Sequence, residues 1–74
     1  MAKRAPAPNL DLQRARFHRQ MSRAALSEQT RISRKALNDI ERRRTRVRLD
    51  TASRIAKALD CEVTDLFTMD EVIG

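Results

Sequence analysis

The only glycine in this chain is its last residue, Gly74, and the only prolines, Pro6 and Pro8, fall within the first eight positions. From Asn9 to Ile73, therefore, nothing obliges a helix to break. Ala, Leu, Arg, Glu and Gln recur through this stretch, and all propagate helices well. Strand signals are missing: the chain has no Tyr or Trp and no alternating β-branched run. At 74 residues it makes one domain. A domain of this size buries only about 60% of its unfolded surface, so helices joined by short turns suit it.

Residues 1–8 read as a flexible, basic arm, the span 9–68 as the folded domain and 69–74 as a short acidic tail. Asn9 follows Pro8 and can cap a first helix over about 10–20, with Leu12, Ala15 and Arg16 on one face. Ser22 caps a second helix reaching about Gln29. Ser33, three residues after Thr30, caps a third over about 34–42. A join that tight makes an αα-corner. Residues 43–49 form a basic loop. A fourth helix covers about 50–59, where Ala52, Ile55, Ala56 and Leu59 repeat at i, i+3, i+4, i+7 as one buried stripe. A short fifth helix, about 63–67, adds Val63, Leu66 and Phe67.

Charge is divided unevenly along this pattern. Residues 1–48 hold fourteen basic and four acidic residues, a net of +10, whereas residues 49–74 hold two and six, a net of −4. Thirteen of the sixteen cations are Arg, the side chain whose planar fork matches phosphate. A lone cysteine, Cys61, allows no intrachain disulfide, and no apolar run is long enough to span a bilayer. A cytoplasmic protein is the expectation.

On a helical wheel, Leu37 and Ile40 of the third helix face inward, while Lys35, Asn38, Asp39 and Arg42 face outward and Arg34 stands at the N-terminal end. Arg and Lys donate to the acceptors of guanine, Asn can pair bidentately with adenine, and a helix of this size fits the major groove. Alone, such a face also describes any solvated helix. Glu41 is more telling, because it flanks the apolar side beside Leu37 and Ile40. A carboxylate there must rotate to water or find a cation. Arg16, on the apolar side of the first helix, is its natural partner, and the pair would fix the angle of the third helix.

The stretch 21–41 (MSRAALSEQTRISRKALNDIE) resembles the helix-turn-helix of phage repressor and Cro-like (Xre-like) regulators, and the similarity continues through 49–59 (LDTASRIAKAL) and 63–67 (VTDLF). The resemblance implies an all-α, compact five-helix, lambda-repressor-like domain that reads duplex DNA. By position it implies base contacts from Ser33, Arg34, Lys35 and Asn38, with Asp39 at the edge of that set. It implies backbone contacts from Ser22 and Arg23 and from the segment Arg42–Arg43–Arg44–Thr45–Arg46, and an interhelical pair of Arg16 with Glu41. Arg23 stands where Gln is usual and would contact a phosphate and brace position 34. Arg31 stands where Gly is usual in the turn. If that position is left-handed it costs about 1–2 kcal/mol, which a phosphate contact by Arg31 would offset. Arg43 and Val47 replace a second common Gly and a common Pro.

The function expected is a sequence-specific transcriptional regulator of the repressor type, binding double-stranded DNA, with a homodimer forming on DNA. Any dimer would use Phe67, Met69, Val72 and Ile73 or assemble only on the duplex. The alternative is a protein-interaction module, such as the DNA-binding antitoxin of a toxin–antitoxin pair. RNA is disfavoured by the lack of aromatic residues for stacking. No cofactor, metal, membrane or small-molecule ligand is expected. His18 has no second His or neighbouring Cys to share a metal, Cys61 suits a small buried apolar position, and Phe17 reads as a partly exposed packing residue or part of a self-association patch. No nucleophile–base pair is visible, so an enzyme is not expected.

Overall fold

The computed structural model describes residues 9–42 and 46–74. The arm expected over 1–8 and the candidate contacts Arg43 and Arg44 lie outside the described residues. Five α-helices are present among the described residues: α1 (Leu10–His18), α2 (Arg23–Thr30), α3 (Arg34–Glu41), α4 (Leu49–Ala58) and α5 (Val63–Leu66). Two short strands, β1 (Val47–Arg48) and β2 (Val72–Ile73), and a single 3-10 turn (Met69–Glu71) complete the order.

Side-chain caps start the first three helices. Asn9 Oδ1 accepts from the Leu12 N–H at 3.0 Å, Ser22 Oγ from Ala25 N–H at 3.0 Å and Ser33 Oγ from Ala36 N–H at 3.1 Å. Each satisfies a donor that the first turn leaves without a helical partner. The other ends are less ordinary. Chain reversal after a helix commonly needs one left-handed residue, usually Gly. Here Gln20 (φ 51°), Arg31 (φ 61°) and Asp60 (φ 57°) take that conformation. This reversal is why α1 ends at His18 rather than at the expected residue 20.

The core gathers one stripe from each helix: Leu12 of α1, Leu26 of α2, Leu37 and Ile40 of α3, Ala52, Ile55 and Ala56 of α4, and Leu66 of α5, closed by Val47, Leu59 and Phe67. Asn9 sits beneath it, fully buried. Its backbone N–H donates to the Glu41 carbonyl at 2.7 Å, and its Nδ2 donates to the Leu66 carbonyl at 2.7 Å. The cap of α1 thereby ties the end of α3 to the end of α5.

The C-terminal residues differ from expectation. Residues 69–74, read as an acidic tail, fold back onto the domain. The 3-10 turn is held by Glu71 Oε1, which accepts from the Thr68 N–H at 2.8 Å. β2 then pairs in parallel with β1, Val72 opposite Val47 and Ile73 opposite Arg48. Val47 is buried as a result, and the basic loop expected over 43–49 ends early, because Leu49 already begins α4. A two-residue ladder leaves the architecture all-α.

Candidate nucleic-acid interface

α2 and α3 meet through a three-residue turn, Arg31–Ser33, whose direction is set by the left-handed Arg31 and by Ser27 Oγ donating to the Ile32 carbonyl at 2.5 Å. Thr30 Oγ1 donates to the Leu26 carbonyl at 2.7 Å and accepts from the Ile32 N–H at 3.3 Å. With Leu37, Ile40 and Glu41 buried, α3 has one rotational setting, and its opposite side faces outward.

On that side Ser33, Arg34 and Lys35 are exposed, while Asn38 and Asp39 are half-buried. Arg34 and Lys35 have no ion-pair partner among the described residues. Ser33 and Ser22 spend an oxygen lone pair on capping, but each hydroxyl retains its hydrogen to donate. Asp39 lines a cleft with Ala36, Arg46, Arg48 and Thr51, so the one acid of the outward face stands among cations. Arg42 and Arg46 are exposed beyond the end of α3.

Behind this face lies a chain of charged contacts. The Arg16 guanidinium grips Glu41 with both arms, Nε to Oε2 at 2.9 Å and Nη2 to Oε1 at 3.2 Å, and its Nη1 donates to the Met21 carbonyl at 3.1 Å. Glu41 is 1% exposed. A fork of this kind offsets part of what desolvation costs and fixes the angle between the two helices. Arg23, at the first turn of α2, adds a longer contact from Nε to Glu41 Oε1 at 3.4 Å, and its Nη1 donates to Asn38 Oδ1 at 3.3 Å. The resemblance implies that Arg23 braces position 34. The side chain it reaches is Asn38, because α2 begins opposite the C-terminal half of α3.

Arg31 does not stand alone. It shares an open depression with Arg54 and Lys57 of α4, between Gln29, Thr30 and Ala58. Nothing in the sequence marks Arg54 and Lys57 as neighbours of Arg31. Their i, i+3 spacing on the polar side of α4 was visible, but the packing that brings α4 beside the end of α2 was not. Arg19 pairs with Asp60 at 4.0 Å, an exposed contact of little energy.

His18 is exposed, and no group of three or more His, Cys, Asp or Glu among the described residues could hold a metal. Burial pushes the Cys61 thiol above its ordinary pKa, and the carboxylates of Asp65, Asp60 and Glu62 push the same way, so it is a poor nucleophile at neutral pH. No helix among the described residues is long and apolar enough to cross a membrane. What the geometry offers is a helix with exposed cations, held rigidly from behind.

Comparison with known proteins agrees with that description. The family model for the Cro/C1-type helix-turn-helix DNA-binding domain matches residues 11–71. No curated protein is a significant match to the chain.

Proposed function

Because the chain belongs to the family of Cro/C1-type helix-turn-helix DNA-binding domains, we propose that it is a sequence-specific transcriptional repressor that reads the major groove with α3. The observation that carries the reading is the exposure of Arg34 and Lys35 on a helix whose opposite side is buried and gripped through Glu41. Ser33, Arg34, Lys35, Asn38 and Asp39 contact base edges. Ser22 and Arg23 take one phosphate strand; Arg31, Arg42 and Arg46, with Arg43 and Arg44 by their place in the sequence, take the flanking phosphates.

Repression follows from occupancy of a promoter. A single module covers only about 600–1,000 Å² of protein surface on DNA. Two copies on half-sites roughly 34–36 Å apart give the area that tight specific binding needs, so the bound form is a homodimer on DNA.

Selection of bound sequences from random duplexes at moderate salt tests this. A recovered motif with two-fold symmetry is expected. Arg34→Ala should weaken the selected duplex by about 1–3 kcal/mol and blur one base position, whereas Arg44→Ala should weaken all duplexes alike. With about six phosphate contacts, affinity should fall ~10³-fold between 50 and 200 mM salt. Equal losses on selected and random DNA for Arg34→Ala would remove that residue from the base-reading set, and failure to recover any motif would refute the function.

A further inference from the structure

Asn38 stands on the outward side of α3, and its amide already has a partner. Arg23 Nη1 donates to Asn38 Oδ1 at 3.3 Å while Nε of the same guanidinium donates to Glu41 Oε1 at 3.4 Å. Glu41 is itself buried and gripped by Arg16.

A guanidinium has five donors and no acceptor. The end of the Asn38 amide that meets Arg23 must therefore be the oxygen, since an NH₂ there would face another donor. Nδ2 is the end left over. The guanidinium is planar, so its hold on Glu41 also limits its rotation away from Asn38.

An asparagine free to turn recognises adenine bidentately, accepting from N6 at Oδ1 and donating to N7 from Nδ2. With a cation bonded to Oδ1, one of its two lone pairs is taken and the other lies beside a positive charge. The positive charge beside it also disfavours the donor of adenine N6. The guanine edge, N7 and O6, presents acceptors only. It suits a group that has only donors to give.

We propose that Arg23 is a positioning residue that sets base preference: by holding Asn38 Oδ1 it makes Asn38 a donor-only reader that selects guanine over adenine. The inference rests on α3 being the base-contacting helix.

The test is motif selection from random duplexes with the full chain and its variants. Asn38→Ala identifies the base position that Asn38 reads, by loss of preference there. At that position the unaltered protein should favour guanine over adenine on the order of ten-fold. Arg23→Met, which keeps the stem and removes the donors, should shift preference toward adenine. Arg23→Lys, which restores a cationic donor, should keep guanine. If Arg23→Met fails to fold by circular dichroism, Arg23→Gln serves instead: its amide can face either end of Asn38, so the guanine preference should weaken. Adenine preferred by the unaltered protein, a preference unmoved by Arg23→Met or Arg23→Gln, or no base position altered by Asn38→Ala would overturn the proposal. In those cases a recovered motif leaves the repressor reading standing, whereas absence of any motif removes both.

Discussion

Removal of the Glu41 carboxylate is the sharpest single perturbation of this domain. Glu41 is 1% exposed and accepts two bonds from Arg16 and a longer one from Arg23. Arg16 has its side chain 11% exposed, against 43% for Arg23. Glu41→Ala therefore leaves one guanidinium buried without its counter-charge, and lets the other turn to water. Breaking a buried pair from one side costs about 3–5 kcal/mol. A chain of this length has roughly 4–11 kcal/mol of total stability. The variant should lose a large part of it, and each kcal/mol should lower Tm by about 4–8 °C. The second arm of the test is the pair Arg16→Met with Glu41→Leu. Replacing both charges by apolar groups of similar volume is commonly neutral or stabilising. Urea denaturation followed by circular dichroism, on the unaltered protein, Glu41→Ala and the double variant, should thus find the double variant more stable than Glu41→Ala. A cost below about 1 kcal/mol for Glu41→Ala would place the pair at the level of exposed ion pairs. That result, or a double variant less stable than the single, would refute the account of Glu41 as a buried, fully paired charge.

Four further outcomes are expected. Gln20→Gly and Asp60→Gly should each raise stability by roughly 0.5–1 kcal/mol in the same denaturation assay, by relieving left-handed strain that exceeds the added chain entropy of Gly; loss of stability at either site would contradict it. Arg31→Gly should stabilise similarly while removing one phosphate contact, lowering the slope of log affinity against log salt by about 0.9; an unchanged slope would take Arg31 out of the interface. Deletion of 69–74 should cost on the order of 1.5 kcal/mol, since it strips the strand that covers Val47; an unaltered midpoint would show that β2 contributes nothing. Cys61 has its pKa raised in the folded protein, so the folded state holds this proton more tightly than the unfolded chain. The associated stability is present below the ordinary thiol pKa and lost as pH rises from there through the raised folded-state pKa, and alkylation of the folded protein should lag behind that of the urea-unfolded chain across that window; equal rates would contradict it.

What could be read without coordinates is what depends on local periodicity and on residue type. Helices need only a 3.6-residue stripe and a cap, both encoded within one turn, so Ser22 and Ser33 at the starts of α2 and α3 and the stripe of α4 are visible in sequence order. Arg16 and Glu41 are a readable pair for a related reason: each is a charge on the apolar side of its helix, and a buried charge has few solutions. The requirement for a left-handed residue at Arg31 is readable only through resemblance. At Asp60 the residue type offers a weaker signal, since Asp tolerates that conformation and can end α4, and at Gln20 there is none.

Tertiary structure decided whatever depends on the angle and separation between elements. β1 and β2 are two residues each and lie 25 positions apart, Val47 against Val72, so no pattern within either could announce the pairing. Asn9 could be read as a cap; its burial, and its bonds to Glu41 and Leu66, need α3 and α5 already in place. Arg23 reaches Asn38 instead of Arg34 because a long, flexible side chain takes whichever partner the crossing of α2 and α3 puts within reach. The sequence alone settles which residues can bond. Which of them do is a matter of a few ångströms, and only the packed core supplies that distance.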